Sequence, residues 1–389
     1  MPNLLGLLYN AAVRIVRAIN AHTIGGFRWY MRHGAFWTAV CFGFVVIPSL
    51  HTTGYLTIEK VNMLGRYLAF AIAAIGLDLV WGYTGMLCLC QAFFFSLGGY
   101  AMGIHLAHHG PVDLTDAAGW DIPRALYVVY PYAVGEAARD AMLPWFWKPF
   151  YYLPMTFALG MIIPGMVAFA IGFFVFASRV RGVFFAILTQ AFTLAAWLIF
   201  SLNDIKLCGT NGLTNFEMLA GFDIREPTTK LCLYLVTLVV LVGVYCLSRY
   251  IVDSQFGIVL LAVRDNESRL RFSGYRPHVF KLFVFTLSGM IAGLGGMLYA
   301  PQMGIFTPSN MEVKASIMMV IWVAVGGRGT LSGAILGTLA VNLMYNFLTT
   351  HSPNSWPFFQ GGLFIAVVLL FPNGLMSVWQ AITQRIVAR

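Results

Sequence analysis

The sequence has few charged residues: Asp, Glu, Lys and Arg make up 10% of its 389 residues, whereas 59% are hydrophobic. Soluble globular proteins carry about 25% charged residues, so this chain lacks the ionic side chains needed to cover a water-facing surface. A water-soluble enzyme and an intrinsically disordered protein are therefore both excluded. The composition is that of an integral membrane protein.

Cysteine is also scarce, with six residues and no C-x-x-C pair, so neither a zinc knuckle nor a redox motif is indicated. The sequence contains no G-x-x-x-x-G-K-[ST] motif, and we do not expect the chain to hydrolyse ATP by itself. It shows no recognisable Ser/His/Asp or Cys/His set. We interpret His108 and His109, with nearby acids, as solvated loop residues, and we expect no metal and no cofactor.

Long apolar runs predict an all-α fold, a polytopic transmembrane bundle of eight to ten helices, some of them broken or re-entrant. The segment 314–326 is too short to span a bilayer alone and is a candidate for re-entrance. The predicted helices lie at 35–53, 62–81, 86–107, 155–177, 183–201, 231–252, 279–300, 314–326, 331–350 and 358–372.

The few charges are distributed unevenly across these helices. If the N-terminus is cytoplasmic, the inner segments hold 15 basic residues against three acids, and the outer segments hold eight against 11. This positive-inside pattern predicts a multi-pass protein of the bacterial inner membrane with a cytoplasmic N-terminus. Topology accounts for the net charge of +9, so we expect no nucleic-acid partner.

The predicted organisation is one membrane domain at 35–376. Residues 1–34 are expected to form an amphipathic cytoplasmic segment that lies on membrane lipid, and 377–389 a cytoplasmic tail. The long loops are 108–154 and 202–230 on the periplasmic side and 253–278 on the cytoplasmic side.

The inner loop 253–278 mixes apolar and charged residues with a helical spacing. It predicts one or two short amphipathic helices that end at Gly274. The chain has no room for a soluble domain of about 100 residues, so any energy source must be another polypeptide. A docking helix for a cytoplasmic motor explains this loop better than a solvated loop does. Its apolar residues Val259, Val263, Leu270 and Phe272 are expected to face the membrane domain or the partner.

Two glycine-rich stretches are expected to break helices inside the membrane. The first contains Gly82 and Gly85, and the second contains Gly326, Gly327 and Gly329. A broken helix exposes backbone N–H and C=O groups, which is tolerated only where protein or a water-filled path satisfies them. In transporters such breaks often lie near the substrate route.

Three motifs together resemble the permease subunits of branched-chain amino acid and urea ABC importers. They lie at 81–103, at 262–267 with Gly274, and at 322–331, and the resemblance extends over residues 62 to 376. It implies an ABC importer permease fold in which the charged loop is the coupling helix that sits in a groove of the ATPase subunit. The implied coupling residues are Ala262, Arg264, Asp265, Asn266, Glu267, Arg269 and Gly274.

Within that family the sequence is most similar to the urea-type branch, through residues 143–147, 209–214 and 264–275. Many amino-acid permeases of the family have a Gly-His-Gly-like stretch where this sequence has Cys90-Gln91-Ala92. The order of preferred substrates is therefore urea, short amides and branched-chain amino acids. The resemblance also implies two cytoplasmic ATPase subunits, a second homologous permease subunit and a periplasmic substrate-binding protein.

Urea has a carbonyl acceptor and four N–H donors, so its path needs polar groups and aromatic walls. Polar and aromatic residues inside the predicted helices are the candidates. Interhelical hydrogen bonding is the alternative role for each polar one. The candidates are Gln91, Phe94, Thr189, Gln190, Thr193, Trp197 and Asn342.

Two other classes of function stay open from the sequence. The first is a passive urea channel or an ion-coupled carrier. It is weakly supported, because Asp78 is the only acid inside a predicted membrane helix. The second is a membrane enzyme or a non-transporting scaffold, for which we find no catalytic set.

Overall fold

The computed structural model describes residues 40–115, 119–128, 143–178 and 182–351, with positions 358, 361, 362 and 374. The predicted segments 1–34 and 377–389 lie outside these residues, as does most of the predicted helix 358–372. The helices are α1 (Phe42–Thr52), α2 (Ile58–Thr84), α3 (Gln91–His108), α4 (Leu153–Ala177), α5 (Val183–Phe200), α6 (Pro227–Asp253), α7 (Gln255–Phe272), α8 (Pro277–Met303), α9 (Val313–Gly326) and α10 (Leu331–His351).

The predicted polytopic helical bundle is confirmed. Nine of the ten predicted helices have a counterpart among the described residues, and α7 lies in the predicted inner loop. Six of the described helices (α2, α4, α5, α6, α8 and α10) are long and apolar enough to cross a membrane. Helix α9 has 14 residues. At 1.5 Å per residue it is about 21 Å long, shorter than the hydrocarbon core of about 30 Å.

Strands occur only in the two predicted outer loops of the described chain. Each loop holds one two-stranded antiparallel sheet. Neither sheet contributes to the helical core. The strands are β1 (Val112–Thr115) with β2 (Asp121–Pro123) and β3 (Met218–Leu219) with β4 (Phe222–Asp223).

The two loops that are predicted to be outer are attached to helix ends. Nδ1 of His105 donates to the Phe150 carbonyl at 2.8 Å, and Nε2 of His108 donates to the Trp147 carbonyl at 3.1 Å. These two histidines of α3 therefore anchor the first outer loop. No group of three or more His, Cys, Asp or Glu residues is placed to hold a metal ion in the described ranges.

The second of these loops is hydrogen-bonded to the connection between α8 and α9. Leu213 and Phe306 exchange both backbone hydrogen bonds, at 2.8 and 2.9 Å. In the same loop, burial raises the pKa of the Cys208 thiol to about 12. That thiol therefore stays protonated near neutral pH and is a poor nucleophile.

Helix α8 is central to the bundle and packs against α2, α3 and α4. Glycines permit this close packing. A Cβ on Gly293 would lie 2.7 Å from the Gly160 carbonyl oxygen, and one on Gly296 would lie 2.8 Å from the Gly99 nitrogen. Small residues at such crossings let helix backbones approach closely in a membrane.

Helix α7 consists of two helical pieces, which decides between the one or two helices that the loop pattern allows. Asn266 has extended backbone angles, with φ −157° and ψ 91°. Its side-chain Oδ1 accepts a hydrogen bond from the Arg269 N–H at 3.0 Å, which caps the second piece. The second piece ends in a left-handed glycine, Gly274, with φ 86°, whose N–H donates to the Arg271 carbonyl at 3.0 Å.

Candidate functional site

The three motifs of the sequence meet at one end of the bundle. There the last turns of α2, the first piece of α7 and the turn between α9 and α10 are joined by hydrogen bonds. We call this place the junction and define it by Asp78, Gly82, Gly85, Arg264 and Gly329.

Arg264 connects α7 to the end of α2. Its Nη1 donates to the Gly82 carbonyl at 2.9 Å, and its Nε lies 3.3 Å from Oδ1 of Asp265. The last four carbonyls of a helix have no partner inside the helix and carry partial negative charge. A guanidinium is a suitable partner for such a carbonyl, so this contact is both a hydrogen bond and a favourable charge interaction.

Asp78 connects α2 to the turn between α9 and α10. The residue is fully buried, and its Oδ1 accepts a hydrogen bond from the Gly329 N–H at 2.7 Å. Its Oδ2 is buried without a hydrogen-bond partner in the described part of the chain. This hydrogen bond holds the turn between α9 and α10 against α2.

Gly82 is part of α2 and not a break, which corrects the prediction. The helix continues to Thr84 and ends at Gly85, whose φ is 77°. Gly82 is required for another reason: a Cβ there would lie 2.7 Å from the Gly329 Cα. The two backbones are in direct contact, and only glycine fits this approach.

The second glycine-rich stretch separates α9 from α10. Helix α9 ends at Gly326, and Gly327 and Gly329 have φ of 118° and 79°. Residues that carry a side chain rarely adopt these backbone angles, so glycine is needed in the turn. The Arg328 guanidinium lies 5.5 Å from the centre of the Trp81 ring, a cation–π contact that also links the turn to α2.

Glu267 connects the second piece of α7 to α8. Its Oε2 lies 2.8 Å from Nζ of Lys281 and its Oε1 lies 2.6 Å from Nη2 of Arg271. The side chains of Glu267 and Lys281 are 14% and 10% exposed. This pair is largely withdrawn from water, so Glu267 faces the bundle rather than the surface of the loop.

The remaining predicted coupling residues divide by exposure. Ala262 is half-buried, and the apolar Val263 and Leu270 pack inwards. Phe272 does not pack inwards, since it is 93% exposed. The exposed face of the second half of α7 and its end comprises Asp265, Asn266, Ser268, Arg269, Phe272, Ser273 and Gly274.

The predicted helix at 86–107 begins later than expected. Residues 85–90 are not helical, and α3 starts at Gln91. The backbone of Leu89 is satisfied by side chains of α5: its N–H donates to Oγ1 of Thr189 at 3.1 Å, and its carbonyl accepts from Oγ1 of Thr193 at 3.0 Å. Non-helical backbone at membrane depth requires such partners.

Gln91 and Phe94 are held between helices. Nε2 of Gln91 donates to the Ala73 carbonyl at 3.1 Å, and its Oε1 accepts from Oγ of Ser288 at 3.2 Å. Phe94 is fully buried with its ring 5.5 Å from that of Phe285. The side chains of both residues are therefore engaged in contacts that join α3 to α2 and α8.

The other path candidates lie in two separate places. Gln190 and Trp197 are partly exposed and seven residues apart on one side of α5. Asn342 lines a cavity of about 230 Å³ between α2, α3, α9 and α10. The structure does not bring the seven candidates into one pocket.

Sequence reasoning did not single out Lys281 and Ser288. Lys281 is the only cation within the predicted helix 279–300, and a cation inside a membrane segment usually has a partner. The presence of this single lysine in a membrane helix could have indicated that it pairs with an acid such as Glu267. Ser288 gave no signal, because an isolated serine in a membrane helix is common.

Comparison with known proteins gives the family. Residues 60–368 match the family described as branched-chain amino acid transport system, permease component. The high-affinity branched-chain amino acid transport system permease protein LivM of Escherichia coli K12 is 23% identical over 358 residues, covering 86% of this chain and 72% of LivM. The autoinducer 2 import system permease protein LsrC of Yersinia pseudotuberculosis (serotype O:3, strain YPIII) is 32% identical over 129 residues, covering 32% of this chain and 37% of LsrC. No solved structure matches.

The family match covers most of the chain and includes all three motifs of the junction. The predictions of a permease subunit rather than an enzyme, and of a multi-pass inner-membrane protein, are confirmed by these relatives and by the six apolar helices. The chain belongs to the permease-component family of branched-chain amino acid transport systems and is an ABC-type permease.

Proposed function

We propose that the chain is one of two homologous permease subunits of an ATP-driven importer of urea or a short amide. Two cytoplasmic ATPase subunits and a periplasmic binding protein would complete the transporter. The observation that carries the proposal is the junction, because there α7 is bonded to α2, while Glu267 bonds it to α8. A segment that only connected α6 to α8 would not need to be bonded to both α2 and α8.

Helix α7 has the two faces that a coupling element needs. Its exposed face, with Asp265, Arg269 and Phe272, is the side that would dock on an ATPase subunit. Arg264 and Glu267, which bond to α2 and α8, would pass a displacement of α7 to those two helices. Since α8 packs against three other helices, moving it would rock the bundle between outward-open and inward-open states.

The substrate path is proposed to run along α5, between the two permease subunits. Helix α5 is the least buried of the six candidate spans, with 28% of its apolar window buried. It presents Gln190 and Trp197 at its partly exposed edge. A polar amide facing lipid is unfavourable, so a water-filled path or a partner helix suits this edge better. Thr189 and Thr193, on the buried side, hold the segment 85–90 in place beside the path.

The proposed substrate rests on the residues around the break before α3. Gln91 is a neutral amide at a position where many amino-acid permeases of the family carry a Gly-His-Gly-like stretch. A branched-chain amino acid is the second candidate, and the names of the LivM relatives favour it. At 23% identity, the substrate of a relative is weak evidence for the substrate of this chain.

A competition experiment separates the two substrates. The complete transporter is reconstituted in vesicles with its binding protein, and uptake of labelled urea is measured with excess unlabelled urea, acetamide or leucine. We expect urea and acetamide to suppress the uptake and leucine to leave it unchanged. Uptake of labelled leucine with no uptake of urea would contradict the substrate and leave the permease assignment intact.

A further inference from the structure

The cavity of about 230 Å³ that contains Asn342 lies within a single subunit, apart from α5 and its proposed path. Its lining comes from α2, α3, α9 and α10 and includes Phe70, Phe95, Met319 and Trp322. None of these four residues is used by the junction. The cavity is thus a separate feature of the bundle.

Flat aromatic rings form one side of this cavity. The ring centre of Phe70 lies 4.9 Å from that of Trp322 and 5.5 Å from that of Phe95. Behind them, Tyr299 packs on Phe70 at 4.8 Å. Rings packed in this way cannot turn freely, so they present a fixed surface on which a planar group can stack.

Two polar side-chain groups in the cavity lining have no hydrogen-bond partner among the described residues. Trp322 is 4% exposed, and its indole N–H donates no hydrogen bond within the described part of the chain. Asn342 is 7% exposed, and its Nδ2 donates to the Thr338 carbonyl at 2.8 Å. Its Oδ1 accepts no hydrogen bond from the described residues. A buried polar group is normally paired, so the Trp322 N–H is available as a donor to a ligand, and Oδ1 of Asn342 in the same lining is available as an acceptor.

The charged residues of the lining lie towards one end. Glu312 is half-buried and Lys314 is exposed, and both belong to the start of α9, whereas Trp322 lies two turns deeper. The deep part of the cavity is therefore uncharged. A ligand that reaches the unpaired donor and acceptor there has to be neutral, because burying an unpaired charge is strongly unfavourable.

We propose that this cavity binds a planar, uncharged amide inside one permease subunit. The amide plane stacks on Phe70, its carbonyl oxygen accepts from the Trp322 indole N–H at the ring edge, and its N–H donates to Oδ1 of Asn342. The proposal deepens the proposed function, on which it rests for the identity of the amide, urea or a short amide. It adds a second binding site, which lies outside the proposed path between the two subunits.

This proposed binding site lies close to the junction. Trp322 precedes Gly326, the last residue of α9, by about 6 Å along the helix axis. A ligand held against Trp322 therefore lies one helical turn from the glycine turn that bonds to Asp78. Occupancy of the cavity can bias the position of that turn.

Binding is tested on the purified full chain in lipid nanodiscs by nitrogen-15 NMR of its tryptophan indoles. The Trp322 signal is assigned by its disappearance in Trp322→Phe. We expect urea and acetamide, below concentrations that unfold proteins, to shift that signal in a saturable way. Trp147, whose indole N–H already donates to the Lys206 carbonyl at 3.2 Å, is the internal control and should not move. Absence of a saturable shift with both amides, or a shift with leucine alone, would overturn the proposal.

Transport supplies the second readout. In the reconstituted transporter, Trp322→Phe keeps the aromatic face and removes the donor, so the KM for urea should rise about tenfold with little change in kcat. Asn342→Leu should act in the same direction, and Trp147→Phe should leave KM unchanged. An unchanged KM in Trp322→Phe contradicts the site while urea transport stands. Saturable NMR shifts without urea uptake contradict the proposed function while the site stands.

Discussion

Gly82→Ala is expected to lower ATP-driven uptake strongly while the protein still inserts into the membrane. The new methyl group would lie 2.7 Å from the Gly329 Cα, closer than carbon atoms can approach. The turn between α9 and α10 would have to move, and the hydrogen bond from the Gly329 N–H to Asp78 would break. Overpacking of this kind costs about 1–3 kcal/mol, and leaving a buried carboxylate without its donor adds a further penalty.

The matched control is Gly243→Ala. Gly243 also lies in a membrane helix, α6, and a Cβ there would meet no atom within 4 Å. We expect uptake to fall by about tenfold or more in Gly82→Ala and to stay at the wild-type level in Gly243→Ala. Membrane insertion is checked in both by expression level and gel filtration. Normal uptake by a well-folded Gly82→Ala protein would show that the junction is not needed for transport.

Glu267→Ala is expected to have the second largest effect, through Lys281. The Lys281 side chain is 10% exposed, and without the Glu267 carboxylate its charge would be left largely buried. Breaking a buried ion pair by removing one partner costs about 3–5 kcal/mol, and partial exposure at this site places the expected cost at the lower end. The second piece of α7 should detach from α8, so both thermal stability in detergent and uptake should fall.

Exchanging the two charges of the Glu267–Lys281 pair distinguishes loss of this ion pair from general damage to the fold. Glu267→Lys combined with Lys281→Glu restores the pair and should recover part of the uptake, although Arg271 would then face a second cation. Glu217→Ala is the matched control, because the pair of Glu217 with Arg225 is well exposed and such pairs contribute little. Uptake equal to wild type in Glu267→Ala, or no recovery in the exchange, would contradict the role assigned to this pair.

The helices were largely predictable because each needs a long apolar run, and nine runs have their helix among the described residues. The start of α3 was not. Residues 86–90 are as apolar as a helix, so hydropathy cannot distinguish them from one. The left-handed Gly85 and hydrogen bonds to Thr189 and Thr193, about 100 residues away in sequence, determine this non-helical conformation.

The site was predictable in composition but not in orientation. The sequence identifies Arg264 and Glu267 as part of a charged helical loop, but it does not show that Arg264 bonds to the end of α2 and Glu267 to α8. The extended backbone of Asn266 interrupts the helix between Arg264 and Glu267. A single helical periodicity therefore does not predict which side of each piece faces the bundle. Gln91 illustrates the same limit, because a polar side chain in a membrane helix finds its partners through tertiary packing.

The junction also bears on the alternative of an ion-coupled carrier. Such a carrier would be expected to use Asp78, the acid inside a membrane helix, as an ion site. In the structure Oδ1 of Asp78 accepts from the Gly329 backbone, beside the helix end that Arg264 reaches from α7. This arrangement favours a structural role for the carboxylate in coupling α7 to the bundle.

The most direct test of the central claim is the energy dependence of urea uptake. Labelled urea uptake is compared in vesicles that contain the complete transporter with ATP or ADP, and in vesicles that contain this chain without ATPase subunits. The account predicts uptake only in the complete transporter with ATP. Equal uptake by the chain alone would contradict it and would identify a passive channel.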